Sequence, residues 1–281
     1  MHPAREDDER HDPHRVSGAR LPLDDAFASP EAKSRYVRRL FSTIADRYDL
    51  ITVLLSFGRD RRWKERVIRL AGPGAGSRAL DLACGTGDIA FGLASHGATV
   101  VGLDITHRML KNARLRDCVA SARQAGSRIH AFALRAPARK PHPASRTPAF
   151  VNADMCALPF PEASFDIVTT GYGLRNVPDL DAAIREIHRV LRPGGVLVSL
   201  DFNRPSNPVV RAIYLGYLRL VGGALGWVLH RDPDTYRYIP ASIERYPGAA
   251  GVVSHLKAAG FRRAEWRRVL GGLMAIHVTR K

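Results

Sequence analysis

The sequence predicts an α/β protein built on a doubly wound, mostly parallel seven-stranded sheet. Three observations carry that expectation. Short apolar runs alternate with helix-compatible runs over about 200 residues. The stretch Ala79-Leu80-Asp81-Leu82-Ala83-Cys84-Gly85-Thr86-Gly87-Asp88 reads as a strand, a tight glycine turn and a helix start. That is where open α/β sheets bind nucleotide-like cofactors. A second apolar run, Val100 to Leu103, ends in Asp104, seventeen residues past Gly87, close to the spacing of a ribose-holding carboxylate.

Residues 1–30 alternate charges with Pro and Gly and lack an apolar period, so a disordered tail is expected there. In Glu31 to Arg47, Tyr36, Leu40, Phe41, Ile44 and Tyr48 recur every three to four residues, the period of an amphipathic helix. A short apolar run, Leu50 to Phe57, follows. Trp63 to Ala71 reads as another helix, ended by Gly72-Pro73-Gly74. Residues 31–75 are therefore expected to form a helical lid before the first strand. Strand one is expected at Ala79 to Leu82, its helix at Asp88 to His96, and strand two at Thr99 to Leu103. A helix begins near Thr106. Residues 122–148 are rich in Ala, Arg and Pro, and four prolines there exclude a regular helix, so a flexible basic insertion is expected. Strand three follows at Ala149 to Ala153, strand four at Phe165 to Thr170, a helix at Asp179 to Leu191, a Pro193-Gly194-Gly195 turn, and strand five at Val196 to Phe202. Val209 to Leu229 reads as helical but interrupted by glycines, Gly251 to Ala259 as a helix, and Arg267 to Arg280 as two final strands. One domain over residues 31–281 accounts for all of these.

Charged content of 25% and hydrophobic content of 45% fit a globular chain. No apolar run reads as reaching the ~20 residues of a membrane span, and the polar start is no signal peptide. Three cysteines without metal-ligand spacing point to a reducing cytosol. The net charge of +16 invites nucleic acid or an anionic membrane surface as a partner. Half of that charge lies between Lys111 and Arg146, where nine basic residues face one acid, Asp117. This concentration weakens the nucleic-acid reading, and a codon bias favouring arginine explains it as well. The histidines show no ligand pattern, so no metal is expected.

Two cofactors compete for the glycine loop. Gly85-x-Gly87-x-x-Ala90 loosely matches a dinucleotide fingerprint, but a pyrophosphate wants a helix start free of negative charge. Here Asp81 precedes the loop and Asp88 opens the helix. Acids beside the loop suit a cationic sulfonium and an amino-acid ammonium, which is S-adenosylmethionine. Gly85, Thr86 and Gly87 would wrap it, Asp104 would hold its ribose, and Asp154 at the end of strand three would accept from its adenine amino group. Met155 and Leu158 would flank the ring. The bland alternative is that Asp104 and Asp154 cap helices; both at strand ends beside the loop argue against it.

Asp81 to Asp88 and Asp154…Leu158-Pro159-Phe160 resemble class I methyltransferase motifs. Tyr48-Asp49, Leu55-Ser56-Phe57-Gly58, Trp63-Lys64, Tyr172-Gly173-Leu174-Arg175-Asn176-Val177, Arg189 to Gly195, and Asp234 to Ile239 with Ser242-Ile243 narrow the likeness. Together they resemble the ubiquinone/menaquinone C-methyltransferases, from about residue 35 to the C-terminus without the basic insertion. The resemblance implies methyl transfer from S-adenosylmethionine to a ring carbon of a polyprenylated quinol. Arg175 and Asn176, just beyond strand four, are then the catalytic candidates. Arg175 is too basic for a proton acceptor and would act electrostatically, unless it forms a structural ion pair. Tyr48, Tyr172, Tyr236 and Tyr238 would line the acceptor site. Arg237 would either bond a quinol oxygen or pair with an acid. Residues 205–247 would cap the acceptor site, and their apolar run would be core, a wall for the prenyl tail, or both. The chain departs from the family at Ile51-Thr52, at Asp60 where His is usual, at Asp201-Phe202-Asn203, and at Gly171, the position where a small hydroxyl residue often sits near the cofactor. These touch the acceptor side and leave the quinol's identity open. The expected location is the cytoplasm, with peripheral contact at the inner face of the cell membrane. A homo-oligomer is compatible with the sequence. The alternative reading is a class I methyltransferase for another small molecule or for RNA, which would use the basic insertion.

Overall fold

The structure is a computed structural model. It describes residue 23 and residues 25–281, apart from residues 57 and 125–146. Most of the expected tail and most of the basic insertion lie outside the described residues. The part of the tail that is described is ordered: Asp25–Phe27 is a turn of 3-10 helix, and Ser29 caps the first long helix by accepting from the Ala32 amide.

Three helices precede the sheet: α1 (Pro30–Ile44), α2 (Tyr48–Leu55) and α3 (Asp60–Ala71). The sheet then alternates with helices: β1 (Arg78–Leu82), α4 (Asp88–Ala94), β2 (Thr99–Asp104), α5 (His107–Gln124), β3 (Ala149–Asn152), β4 (Phe165–Gly171), α6 (Leu180–Val190) and β5 (Leu191–Phe202). The chain ends in α7 (Pro208–His230), α8 (Tyr238–Arg245), α9 (Gly248–Ala258), β6 (Arg262–Val269) and β7 (Met274–Arg280). Strand order is β3-β2-β1-β4-β5-β7-β6. The first five pair in parallel, and β7 runs antiparallel to both β5 and β6. The order reverses between β1 and β4, and a crevice opens at the carboxyl ends of strands on either side of such a reversal.

Both faces of the sheet are covered. Leu80 and Leu82 of β1 pack toward Ile184 and Ile187 of α6 and Leu256 of α9. Ala79 faces the other way, with Val67 and Ile68 of α3 and Leu93 of α4. Strands buried on both faces read as continuous apolar runs, and an acid among them stands out. Asp81 is that residue, on the face opposite its leucine neighbours.

Several boundaries differ from expectation. The α5 helix runs on to Gln124, into the first residues assigned to the insertion. The strand β5 begins at Leu191; Leu191 already pairs with Phe165, and regular pairing resumes at Val196 after an irregularity spanning the Pro-Gly-Gly segment. Its hydrogen bonding bridges the expected turn. The helix α7 is continuous through Gly222, Gly223 and Gly226. A Cβ on Gly222 would stand 3.2 Å from Tyr236 Cβ, so this glycine permits close packing and does not break the helix. Tyr238–Arg245 is helical, an element the sequence reading passed over.

Candidate functional site

The glycine loop leaves β1 through a left-handed Ala83 (φ 49°) and turns on Gly85 (φ 54°) and Gly87 (φ 87°). A Cβ on Gly87 would lie 2.9 Å from the Phe91 ring, so glycine is required there by space as well as by conformation. Gly87 shapes the turn and is not among the residues lining the groove, hollow and cleft described below.

A groove of about 650 Å³ runs over the carboxyl ends of the strands. Gly85, Asp104, Asp154, Met155, Gly171 and Asn176 line it, and Ser34, Val37 and Phe41 of α1 cover it. Asp104 is buried and accepts from the Gly85 amide at 2.9 Å and the Thr106 amide at 2.7 Å. Burial raises its carboxyl above the ordinary range, against the pull of those two amides. Asp154 accepts from the Cys156 amide at 2.8 Å. Both acids therefore cap turns and also line the groove. A carboxylate oxygen accepts more than one hydrogen bond, so one role does not exclude the other.

The groove continues into a smaller hollow through the shared residues Tyr48, Ala83, Gly85 and Gly171. Here lie Asp81, Thr86, Lys64 and Asp88. Asp81 Oδ1 accepts from Thr169 Oγ1 at 2.8 Å, and Oδ2 is buried without a partner. Burial pushes the Asp81 carboxyl up to about 7. An orphaned carboxylate oxygen facing a hollow fits an ammonium group. Lys64 bonds Asp60 at 2.6 Å and Asp88 at 2.8 Å. Burial disfavours its ammonium, but Asp88 and Asp60 outweigh burial and hold it charged. Thr86 donates to Asp49 at 2.7 Å and ties the loop to α2. A Cβ on Gly171 would come within 3.0 Å of Ile89 Cδ1.

A third cavity, open and about 810 Å³, is almost wholly apolar. Ile51 and Leu55 of α2, Tyr214 and Leu218 of α7, and Tyr236 and Tyr238 line it. It meets the cofactor-side groove at Phe41, Tyr48 and Tyr172, which line both. Tyr172 has φ 62°, a left-handed conformation that bulky residues rarely adopt. It is fixed at both ends: its amide donates to Leu200 O at 2.7 Å, and its carbonyl accepts from Asn176 Nδ2 at 2.7 Å. Its hydroxyl donates to Asp60 at 2.6 Å.

The expected catalytic pair is divided between the cavities. Asn176 lines the groove, and its buried Oδ1 has no partner. Arg175 lines the apolar cleft instead of lying over the groove. Its Nε stands 3.4 Å from Asp201 Oδ1, Ser242 accepts from its Nη1, and the guanidinium lies 5.0 Å from the Phe202 ring centre. Asp201, buried and raised by that burial despite Arg175, also accepts from the Arg175 amide at 3.0 Å. The ion-pair alternative for Arg175 is thus realised, inside the cleft wall. Tyr236 bonds His230 at 2.9 Å, and the Tyr238 hydroxyl is buried without a partner. Arg237 lines none of the three cavities. It is 60% exposed and pairs with Asp234 at 3.0 Å, so of its two expected roles the pairing is the one observed. Sequence reading gave no site role to Lys64 or Ser242, which entered only through the family resemblance, and marked Asp60 only as a departure on the acceptor side. Asp60 and Lys64 are four apart on a helix, a spacing usually read as a solvated surface pair.

A sheet with this order, a glycine turn at the strand reversal and a cradle for a cationic amino-acid cofactor beside an acceptor cleft define a class I S-adenosylmethionine-dependent methyltransferase. The model of the ubiE/COQ5 methyltransferase family matches residues 29–281, and the chain belongs to that family. It is 39% identical over 241 residues to a demethylmenaquinone methyltransferase of Thermus thermophilus, covering 85% of this chain and 98% of that one. It is 36% identical to a ubiquinone/menaquinone biosynthesis C-methyltransferase of Azotobacter vinelandii, covering 88% of this chain and 91% of the relative. A solved S-adenosylmethionine-dependent methyltransferase from Thermotoga maritima shares the fold, with a TM-score of 0.59 and 16% identity over 87% of this chain and 99% of its own.

Proposed function

We propose that this chain methylates a ring carbon of a polyprenylated quinol, demethylmenaquinol or the equivalent benzoquinol of ubiquinone synthesis. S-adenosylmethionine supplies a methyl group activated by its positive sulfur. The observation that carries the reading is the meeting of a polar groove and an apolar cleft at Tyr48 and Tyr172. Donor and acceptor must be held in contact with water excluded, and this junction is where two such ligands would touch.

Asp81 would bind the cofactor's ammonium, and Lys64 its carboxylate. Asp104 would take the ribose hydroxyls, with Gly85, Thr86 and Gly171 leaving room along the backbone. Asp154, Met155 and Asn176 would surround the adenine side. In the cleft, the Arg175 guanidinium would stabilise the oxygen charge that makes the adjacent ring carbon nucleophilic. Tyr236 and Tyr238 would pack against the quinol and its first prenyl units.

The remainder of the prenyl chain stays in the bilayer, so the cleft must open toward it. Leu50, Val53 and Leu54 of α2 are 44–50% exposed, and Val209, Ile213, Leu220 and Trp227 of α7 are 65–76% exposed. The α7 helix is long and apolar enough to cross a membrane by length and composition. Its other face, through Leu215, Leu218, Gly222 and Gly226, is buried against the cap, which supports a helix lying on the membrane and not through it. Exposed Arg47, Arg59 and Arg231 near these helices suit the anionic cytoplasmic leaflet.

The test is to incubate the purified protein with radiolabelled S-adenosylmethionine and each demethylated quinol under anaerobic conditions, and to analyse the product by mass spectrometry. A ring-methylated quinol from one head group is expected. Label transfer to neither would overturn the reading.

A further inference from the structure

Phenolic carbons become good nucleophiles when the ring hydroxyl loses its proton, and the cleft must supply an acceptor for it. Arg175 does not accept protons, and Asp201 is engaged by Arg175 and the Phe202 amide. One chain of donors and acceptors leads away from the junction. Tyr172, whose ring lines both cavities, donates to Asp60 at 2.6 Å, and Asp60 pairs with Lys64 at 2.6 Å. Lys64 reaches Asp88, which also pairs with Arg116 at 2.8 Å. Arg116 also reaches Asp49 at 3.7 Å, so the five charges sum to minus one and one proton on Asp60 brings the cluster to neutrality. The left-handed Tyr172 backbone is a second observation. Such outliers cost roughly 1–3 kcal/mol and persist where the structure over-determines them. Here two backbone-directed hydrogen bonds hold the residue and keep its ring between the cavities.

We infer that Tyr172 and Asp60 form the proton relay that activates the acceptor ring, with Tyr172 touching the ring oxygen and Asp60 storing the proton. The inference rests on the quinol reading of the apolar cleft. The ring hydroxyl's proton passes to the Tyr172 oxygen as the Tyr172 proton passes to Asp60 Oδ1. The electron pair left on the ring oxygen is delocalised to the adjacent carbon, which takes the methyl group as the donor's carbon–sulfur bond breaks. The ring then loses its C–H proton to water, and the stored proton returns from Asp60 through Tyr172 to the ring oxygen. One proton is released per methyl transferred. Burial holds the Tyr172 hydroxyl well above its ordinary value, with Asp60 adding to the effect. The residue therefore passes a proton on only as it receives one.

Asp60→Asn, Asp60→Glu and Tyr172→Phe test the relay. Lys64 keeps Asp88 as a partner in each, so no variant leaves a buried charge unpaired. General-base steps contribute about 100-fold or more. We expect kcat of Asp60→Asn and Tyr172→Phe to fall by about that factor, and Asp60→Glu to recover to within about tenfold of wild type. Affinity for S-adenosylmethionine by calorimetry should change less than about twofold in Tyr172→Phe, which keeps its ring against the groove, and a folding defect would not allow that. The charged and titratable groups facing Asp60 are Lys64 on its own helix, Asp88 and Arg116 behind it, Tyr48 from α2, and Tyr172 with Asp201 beyond. The solvent deuterium isotope effect on kcat, which reports the coupled O–H transfers, should be present in the wild type and in Asp60→Glu and fall toward one in Asp60→Asn. An unchanged isotope effect in Asp60→Asn, an effect confined to KM, or a Tyr172→Phe enzyme within about threefold of wild type would overturn the relay. If Asp60→Asn does not fold, Tyr172→Phe decides the matter alone. Failure of the wild-type protein to methylate any quinol would instead sink the quinol reading.

Discussion

Asp81 concentrates the electrostatics of the cofactor site in one carboxyl group. Its value of about 7 comes first from burial, which outweighs the Thr169 hydroxyl and the nearby Lys64 ammonium, and its second oxygen is buried without a partner. The unfolded chain releases this proton near the ordinary 3.8, and the folded protein without ligand retains it until about 7. The folded state therefore binds more protons between those values, and stability falls as pH rises through that window. At about 1.4 kcal/mol per unit, the loss is a few kcal/mol. An ammonium ion beside the carboxylate reverses the preference. Affinity for S-adenosylmethionine should thus strengthen by up to about tenfold per pH unit below 7 and level off above it. Calorimetry across pH 5.5–8.5 with Asp81→Asn, and with methylthioadenosine, which lacks the ammonium, checks this. Both should bind weakly and without that slope. Acids of this kind were legible because each interrupts or ends an apolar strand. Which of its two roles Arg237 takes is decided locally: its neighbours Tyr236 and Tyr238 turn inward, while Arg237 stays outside and pairs with Asp234. Asp60 stood out only as a departure from the family and Lys64 had no site role, since sequence spacing does not reveal that the start of α3 is buried against Tyr172.

Elements explain why the cap resisted sequence reading. The helix α7 is apolar on two faces, one buried by the cap and one open, so its periodicity is blurred and its glycines look like breaks. From β1 to β4 the strands were read to within a residue because each is buried on one or both faces, whereas β5 and β6 begin at Leu191 and Arg262, ahead of the expected Val196 and Arg267. Val209, Ile213, Leu220 and Trp227 recur near multiples of a turn and share the outer face of α7. Burying one such side chain contributes about 1.5–3 kcal/mol. Ile213→Glu and Leu220→Glu should each weaken co-sedimentation with phosphatidylglycerol vesicles by roughly tenfold or more. Turnover of a short-chain quinol in detergent should be unchanged. A protein that sediments equally well with both substitutions does not use this face. At the turn after β4 the constraint is steric. A Cβ on Gly173 would stand 2.4 Å from Thr170 Oγ1 and 2.9 Å from Ala83 Cβ, so Gly173→Ala should displace the Arg175 segment and abolish turnover before it unfolds the protein.

For the whole molecule, the open question is what the charge of +16 is for. The strand reversal, and with it the place of the cofactor, could be read from the order of apolar runs; the partner could not be read from net charge, because charge has no address until the chain is folded. The groove, the hollow and the cleft are assigned among the described residues, which do not include residues 125–146. That segment carries five basic residues and no acid, so removing it lowers the net charge from +16 to +11. Nucleic-acid affinity follows the number of phosphate contacts and should fall with it, whereas an uncharged quinol ring and prenyl chain are indifferent to it. Joining α5 to β3 through a short glycine-serine linker should therefore preserve quinol methylation within about twofold, since lengthening or shortening a flexible loop changes its closure entropy only slowly. If methylation disappears while cofactor affinity survives, residues 125–146 belong to the acceptor side. RNA binding lost in the same variant would then favour a nucleic-acid substrate. If both activities are indifferent to the deletion, the arginines there serve neither ligand, and the apolar cleft between α2 and α7 alone selects the substrate.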